Sequence, residues 1–380
     1  MLLIKNGLIN DAVNPVPYKG DILVYEGKIV KVAAEIAAEE GAEVIDAEGL
    51  SVYPGFIDAH SHIGLDGYGI GYEGMDYNEM NDIVCPQMRG IDGVKAMDPA
   101  FSHAVAGGVT TVCTGPGSAN VVGGTFTVIK TVGKRVDTMI VKEAAAMKCA
   151  FGENPKRCYG QGLKKSPTTR MATAALLREI LFKTRRYMED KESGKNPAFD
   201  FKLESMIPVL KGEMPLKAHA HRHDDILTSI RIAKEFGLQM TMDHCTDGAV
   251  IADELAKEGF PAFVGPTLGN KSKIELMSKS FTTPAALHTA GVPISIITDS
   301  PVIPQQYLPL CAGLAVKAGM KPFDALQSIT INPAKHLGIA DRVGSLEVGK
   351  DADIVLTNGD PMVSDSTIVS VFIDGEKVVG

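Results

Sequence analysis

Tryptophan is absent, and the six cysteines (Cys85, Cys113, Cys149, Cys158, Cys245 and Cys311) include no C-x-x-C pair. That removes the common zinc-knuckle and dithiol redox motifs. Scattered cysteines in a chain of 380 residues fit buried thiols in a reducing compartment, so a cytoplasmic protein is expected. Cys149 and Cys245 are read as packing residues. No run approaches the ~20 apolar residues of a membrane helix, and no membrane partner is expected. Residues 1–7 lack a basic segment leading into a long apolar one, so no signal peptide is expected. Basic excess is missing as well. The formal net charge of −8 gives no footprint for phosphate binding, which excludes nucleic acid from the expected partners. There is also no low-complexity tract, and the 39 glycines follow no period.

What is present reads as an ordinary globular enzyme, with 45% hydrophobic and 22% charged residues. Residues 1–52 are rich in short Val/Ile/Leu runs: Leu2–Ile9, then 22–32 interrupted by a turn at Glu26-Gly27-Lys28, then Glu43–Asp46. Only the acidic-alanine stretch 33–41 has a helical look there. From residue 52 short apolar runs alternate with helical periodicity. The strand candidates are 52–58, 109–114, 126–132 or 136–142, 145–151, 216–220, 239–244, 262–266 and 294–298. The clearest helices are 169–190, 224–236, 248–258, 305–319 and 322–337. About eight strands alternating with helices over roughly 290 residues predict an α/β fold, a (β/α)₈ TIM barrel spanning 53–344. A doubly wound sheet is the competitor. Residues 345–380 return to strands, at 353–357, 367–373 and 378–379. They are expected to pair with 1–52 as a small composite β-sandwich domain.

Barrel active sites lie where strands end at the C-terminal face, so the residues closing each strand matter most. The first strand ends in Asp58-Ala59-His60-Ser61-His62. Residues two apart in a strand share a face, so both histidines can converge on one point. Converging neutral imidazoles suit a borderline divalent ion, although a lone His-x-His is more often coincidental. Strand five, Leu216 to His221, places Lys217, His219 and His221 on one face. Strand six ends in Asp243-His244, and strand eight in Thr298-Asp299. Four apolar strands ending on metal-competent side chains point to a metal centre. Strand four carries Lys148 inside its apolar run and Glu153 at its end, near the mouth.

These residues, with Pro54–His62, Thr298-Asp299-Ser300 and the tail from Thr330-Ile331-Asn332-Pro333 through Gly344-Ser345-Leu346-Glu347 to Asp351-Ala352-Asp353, resemble the amidohydrolase superfamily of metal-dependent (β/α)₈ hydrolases. The likeness is nearest to its imidazolonepropionase-related and dihydroorotase-like branch, and it spans nearly the whole chain. It implies that His60, His62 and Asp299 bind one metal. His219 and His244 would bind a second, or complete the first site and help the substrate. Asp299 would also take the proton of the attacking water. The resemblance further implies a group bridging two ions, either Glu153 or a carboxylated Lys148, and Glu153 is preferred because it needs no modification and lies at the mouth. His221 is placed above the metals as a substrate contact or proton donor, and His223 in a loop. Deaminases of the superfamily usually carry His-x-x-Glu in strand five, where this chain has His219-Ala220-His221-Arg222.

The expected activity is hydrolysis of an amide or cyclic-amide C–N bond in a small polar molecule. It would use one or two divalent ions, zinc foremost, with manganese, iron, cobalt and nickel as the other options. Heterocycle deamination and a non-catalytic binding scaffold are the alternatives, and homo-oligomerisation is left open. Gly69-Ile70-Gly71-Tyr72-Glu73-Gly74 matches G-x-G-x-x-G but lies in a loop after strand one, not in a strand–turn–helix unit, so it is read as a loop over the pocket. The turn Thr114–Asn120 is a candidate substrate-binding segment, and Arg157 and Arg170 are candidate carboxylate clamps. His103, His288 and His336 are read as structural.

Overall fold

The computed structural model describes residues 1–67 and 71–380. Gly69 and Ile70 of the glycine-rich motif lie outside the described residues, and its remainder, Gly71–Gly74, is a single 3₁₀ turn. The N-terminal region forms β1 (Leu2–Ile9), β2 (Tyr18–Tyr25), β3 (Lys28–Ala33), β4 (Glu43–Asp46) and β5 (Ser51–Pro54). The stretch 34–41 contains no helix. Its Ile36 is drawn onto the strands instead, donating its N–H to Asp21 Oδ2 at 2.8 Å and accepting from Lys5 Nζ at 2.8 Å. Those bonds and a buried isoleucine outweigh the helix propensity of alanine and glutamate.

The central region forms β6 (Phe56–Ser61), β7 (Val109–Thr114), β8 (Val122–Lys130), β9 (Ile140–Ala150), β10 (Leu216–Ala220), β11 (Met240–His244), β12 (Ala262–Val264) and β13 (Ile294–Ile296). These pair in simple sequence order as an eight-stranded sheet. From β9 to β13 every pairing is parallel. The third strand departs from the expected pattern: β8 runs antiparallel to both β7 and β9. The links 115–121 and 131–139 are too short for the crossover of a dozen or more residues that a parallel pair requires, so the chain meanders here. The two alternatives for the third strand, 126–132 and 136–142, overlap β8 and the start of β9 respectively.

No ladder joins β13 to β6, but the gap is stitched. His62 N–H donates to Ser300 O at 2.7 Å and Asp299 N–H to His60 O at 3.2 Å. Asp58, fully buried, bridges the same gap. Its carboxylate accepts from His60 N–H (3.1 Å), Thr298 N–H (3.1 Å), Thr298 Oγ1 (2.5 Å) and Gln305 Nε2 (2.6 Å). The result is a nearly closed, TIM-like barrel.

The tail adds β14 (Ile354–Thr357), β15 (Ile368–Ile373) and β16 (Glu376–Val379). Both chain ends then share one sheet in the order β16-β15-β14-β5-β1-β2-β3, with β4 beside β1. It has its own core of Ile4, Ile22, Val52, Ile354, Leu356 and Phe372 among others. The expected helix 322–337 is two, Pro322–Gln327 and Ile331–Leu337. Pro333 lacks the N–H that a continuous helix would need and instead occupies the first turn of the second helix. Among the described residues no helix is long and apolar enough to cross a membrane.

Candidate metal centre

The barrel strands deliver their polar ends to one mouth. In β10, Lys217 and His219 face inward in register with Lys148 on β9 and Asp243 on β11. Two groups of ligand-competent atoms result, His60/His62/Asp299 and His219/His221/His244, with one atom from each member of a group within 4.8 Å of the others. Asp299 Oδ1 lies 3.4 Å from His60 Nε2 and 3.3 Å from His62 Nε2. The rings of His219 and His221 are 4.8 Å apart, those of His219 and His244 4.5 Å. His60 and His244, one from each group, have ring centroids 5.0 Å apart. So residues spread over the whole barrel sequence meet at one rim.

The surroundings prepare these imidazoles as ligands. His62 Nδ1 is 2.7 Å from Gly115 O and His244 Nδ1 2.8 Å from Gly265 O. A carbonyl only accepts, so Nδ1 carries the proton in both and Nε2 presents its lone pair to the mouth. His60 Nδ1 lies 2.9 Å from Asp243 Oδ2, off the line of an ideal hydrogen bond, which likewise leaves Nε2 facing Asp299. His221 Nδ1 is 2.7 Å from Thr246 Oγ1. His219 Nδ1 is buried without any hydrogen-bond partner. An orphaned buried nitrogen beside two other imidazoles is the atom a divalent ion would satisfy, so the residues present fit the implied metal. Burial lowers the pKa of His60 to about 3, and with neighbouring charge it holds His219, His221 and His244 below the ordinary histidine value. All four are neutral, as metal ligation requires.

Below the histidines lies a fully buried ionic cluster. Asp243 faces Lys217 Nζ at 3.3 Å and Lys148 Nζ at 4.0 Å, and accepts from Thr241 Oγ1 at 3.1 Å. Burial opposes its ionisation, but Lys217, His60 and Lys148 outweigh that and hold it well below the carboxylate range. Asp299 shows the same contest: burial raises it, while His244, His60 and His62 hold it low. Lys148 is the reverse case. Burial dominates and lowers it to about 8, with Nζ 3.4 Å from His60 Nε2.

Glu153, expected at the metals, belongs to neither group. Strand four turns out at Gly152, whose φ of 80° is open to glycine, and Glu153 starts the short helix Glu153–Pro155 half-buried at the rim. His221, expected above the metals, stands level with His219 and His244 in the same triplet. His223 opens the helix His223–Phe236 and faces Asp247. Arg170 is used up in a two-pronged contact with Asp225 (2.9 and 3.0 Å), whereas Arg157 lines the cavity. His288 pairs with Asp324, and His336 meets Ser295 and Phe263. Sequence reasoning gave no role to Asp58 or Glu275, and met Asp243 only within the family motif. The signal for Asp58 and Asp243 was a carboxylate inside an apolar strand; Glu275 had none. Nor did it show that His244 (φ 76°) and Asp299 (φ 55°) both occupy the left-handed region, a strained conformation that tends to gather at functional sites.

The groups open into a cavity of about 530 Å³ lined by Tyr77, Gly117, Ser118, Asn154 and the segment 266–279. The turn after strand two therefore does reach the pocket. Gly117 is required there, because a Cβ would stand 2.5 Å from the Tyr77 ring.

A family model described as "Amidohydrolase family" matches residues 51–378. Amidohydrolase tasK of Hapsidospora irregularis is 30% identical over 388 residues, covering 94% of this chain and 39% of that protein. The chain thus spans about two-fifths of tasK. A dihydroorotase of Elusimicrobium minutum is 22% identical, over 94% of this chain and 88% of its own length. An amidohydrolase crystal structure from Thermotoga maritima superposes with a TM-score of 0.96 at 44% identity, covering 100% of this chain and 99% of that one. On these matches, the chain belongs to the amidohydrolase family.

Proposed function

We propose that the protein is a metal-dependent amidohydrolase that cleaves an amide or cyclic-amide C–N bond of a small polar molecule with water. The observation carrying this reading is the meeting of the two histidine groups around buried Lys148 at the floor of one cavity. His60, His62 and Asp299 would hold one divalent ion; His219, His244 and His221 would hold a second or orient the substrate. Bound there, such ions supply a water acidified towards neutral pH and a positive charge for the developing oxyanion.

The chain's own residues do the rest. Asp299, held ionised and 16% exposed at the cavity floor, accepts the proton of the attacking water and passes it to the leaving nitrogen. Asp243 orients His60, and Asp58 fixes the strand ends that carry His60 and Asp299. Lys148 would take the bridging role in preference to Glu153. Lowered to about 8, it has a larger share of free amine than an ordinary lysine, and that amine could add carbon dioxide to become a carbamate, an N–C bond replacing an N–H bond as a proton is released. The carbamate would bear the negative charge that a buried ammonium cannot.

Deamination is the weaker reading. Among the described residues, the acid paired with the strand-five histidines is Glu275, 3.8 Å from His221 Nε2 but already bound to Lys273 at 2.6 Å. The test is metal analysis combined with turnover. Purified protein should carry at least one divalent transition metal, lose activity on amide substrates with chelation, and regain it with zinc, manganese or cobalt. A protein that binds no such metal is not this enzyme.

A further inference from the structure

The wall of the cavity and the chain as a whole differ in sign. Against a formal net charge of −8, the cavity lining contains three cations, Arg157, Lys273 and Lys279, and one carboxylate, Asp299. The proposed function commits that carboxylate to a divalent ion, so it does not offset them. Two of the cations are fixed or spent. Lys273 Nζ lies between Glu275 Oε1 at 2.6 Å and Asn154 Oδ1 at 3.1 Å, and Arg157 is exposed at the rim. Lys279 is different. It is half-buried, donates only to Asn270 O at 3.3 Å, and makes no ion pair among the described residues.

The segment carrying Lys273 and Lys279 is anchored. Glu275 is buried, and its Oε2 accepts the Glu153 N–H at 2.9 Å, pinning the segment to the end of β9. The approach needs glycine at 152, where a Cβ would stand 2.7 Å from Glu275 Oε2. Leu276, beside it, is buried as a second anchor. An unpaired ammonium on an anchored segment over the cavity is a preorganised anion site, and little ordering is lost when an anion arrives.

We infer that the substrate carries a carboxylate besides its scissile amide, and that Lys279 holds that carboxylate while Arg157, exposed at the rim, adds to the positive field. One unpaired ammonium matches one negative charge. The neighbouring Leu268, Val302 and Ile303 suit an apolar flank on the same molecule. The inference rests on the hydrolase reading for where the amide sits, but the anion site stands on the wall residues alone.

The test is calorimetric binding of N-acetylglycine and N-acetylglycinamide to the metal-loaded protein, with acetate release, common to hydrolysis of both probes, followed separately. Wild type should bind the acid about tenfold or more tighter than the amide. Lys279→Met and Lys279→Gln should each bring that ratio to within about twofold, and Lys279→Arg should retain most of it. Equal affinity in the wild type, including no measurable binding of either probe, overturns the inference. So does a ratio unchanged in both neutral variants, the outcome expected if bound ions alone capture the carboxylate. A Lys279-dependent preference without turnover of either probe would instead count against the hydrolase reading and leave the anion site standing.

Discussion

Lys130 and Lys148 lie on neighbouring strands, both with buried side chains, and their surroundings give them opposite characters. Lys130, at the end of β8, sits among three carboxylates: Asp353 at 2.7 Å, Asp351 at 3.1 Å and Asp374 at 3.2 Å. Burial alone would lower its pKa, but those charges outweigh it and raise it, so the ammonium is locked as a pin between the barrel and the terminal sheet. Lys148, on β9, has Asp243 no nearer than 4.0 Å, and Asp243 is shared with Lys217 and His60. Burial wins there, and the amine is poised near neutrality. One residue type is held as an ammonium at the seam and has its pKa lowered at the mouth. The difference lies in how many counter-charges reach it, which is a property of the fold and not of the local sequence.

The contrast can be broken most decisively at the mouth. Asp299→Asn should leave the fold intact and lower kcat by ~10² or more, the usual contribution of a positioned base; near-normal turnover in a folded variant would remove Asp299 from that role. Lys148→Met should also abolish most turnover, and elemental analysis should show fewer bound ions per chain than in wild type. At the seam the effect should be on stability. Lys130→Met leaves buried Asp353 without its cation, while Asp351 keeps Lys28 and Arg342, and should cost roughly 3–5 kcal/mol by denaturant unfolding, since breaking a buried pair strands its partner. Its turnover per folded molecule should match wild type; a selective loss of kcat would mean that the two lysines are not separate in function.

Acid sharpens the comparison further. Burial puts His60 at about 3 and His336 at about 4, and His219, His221 and His244 also below the ordinary value, while an unfolded histidine titrates near 6.5. Between those values the unfolded chain binds protons that the folded chain refuses, so stability rises with pH across roughly 4 to 6.5 and is lost as pH falls. The Tm of metal-free protein should therefore drop steeply below about pH 6.5. His336→Gln, remote from the metal groups, should flatten that slope by about one proton; an unchanged slope would show that His336 is not held neutral. The smallest effect is expected at the rim, where Glu153→Gln should keep kcat within about threefold of wild type. Loss of bound metal in that variant would restore Glu153 as the bridging ligand.

Much of this was legible beforehand because it is written in local patterns. Alternation in Phe56–His62 and Leu216–His221, with an abrupt polar ending, announced buried strands that gather metal-competent side chains at one end. The tail motif through Asp353 likewise announced a return to the terminal strands. The reversal of β8 was not legible, because an apolar run reads the same in either direction and only the short links 115–121 and 131–139 decide it. Where Glu153 lies relative to the two histidine groups was not legible, because the turn at Gly152 redirects the chain just before it. Glu275 could not have been picked from a polar loop.

Thus the linear order of residues was sufficient to specify a barrel family, a metal-competent set of histidines and Asp299, since strand periodicity and residue chemistry act over a few positions. Folding alone decided which lysine is clamped as an ammonium and which has its pKa lowered, that Asp58 ties the first barrel strand to the last, and that a chain of net charge −8 would line one cavity with Arg157, Lys273 and Lys279. Those outcomes depend on desolvation and on distances between side chains far apart in sequence, and such quantities exist only once the chain has closed on itself.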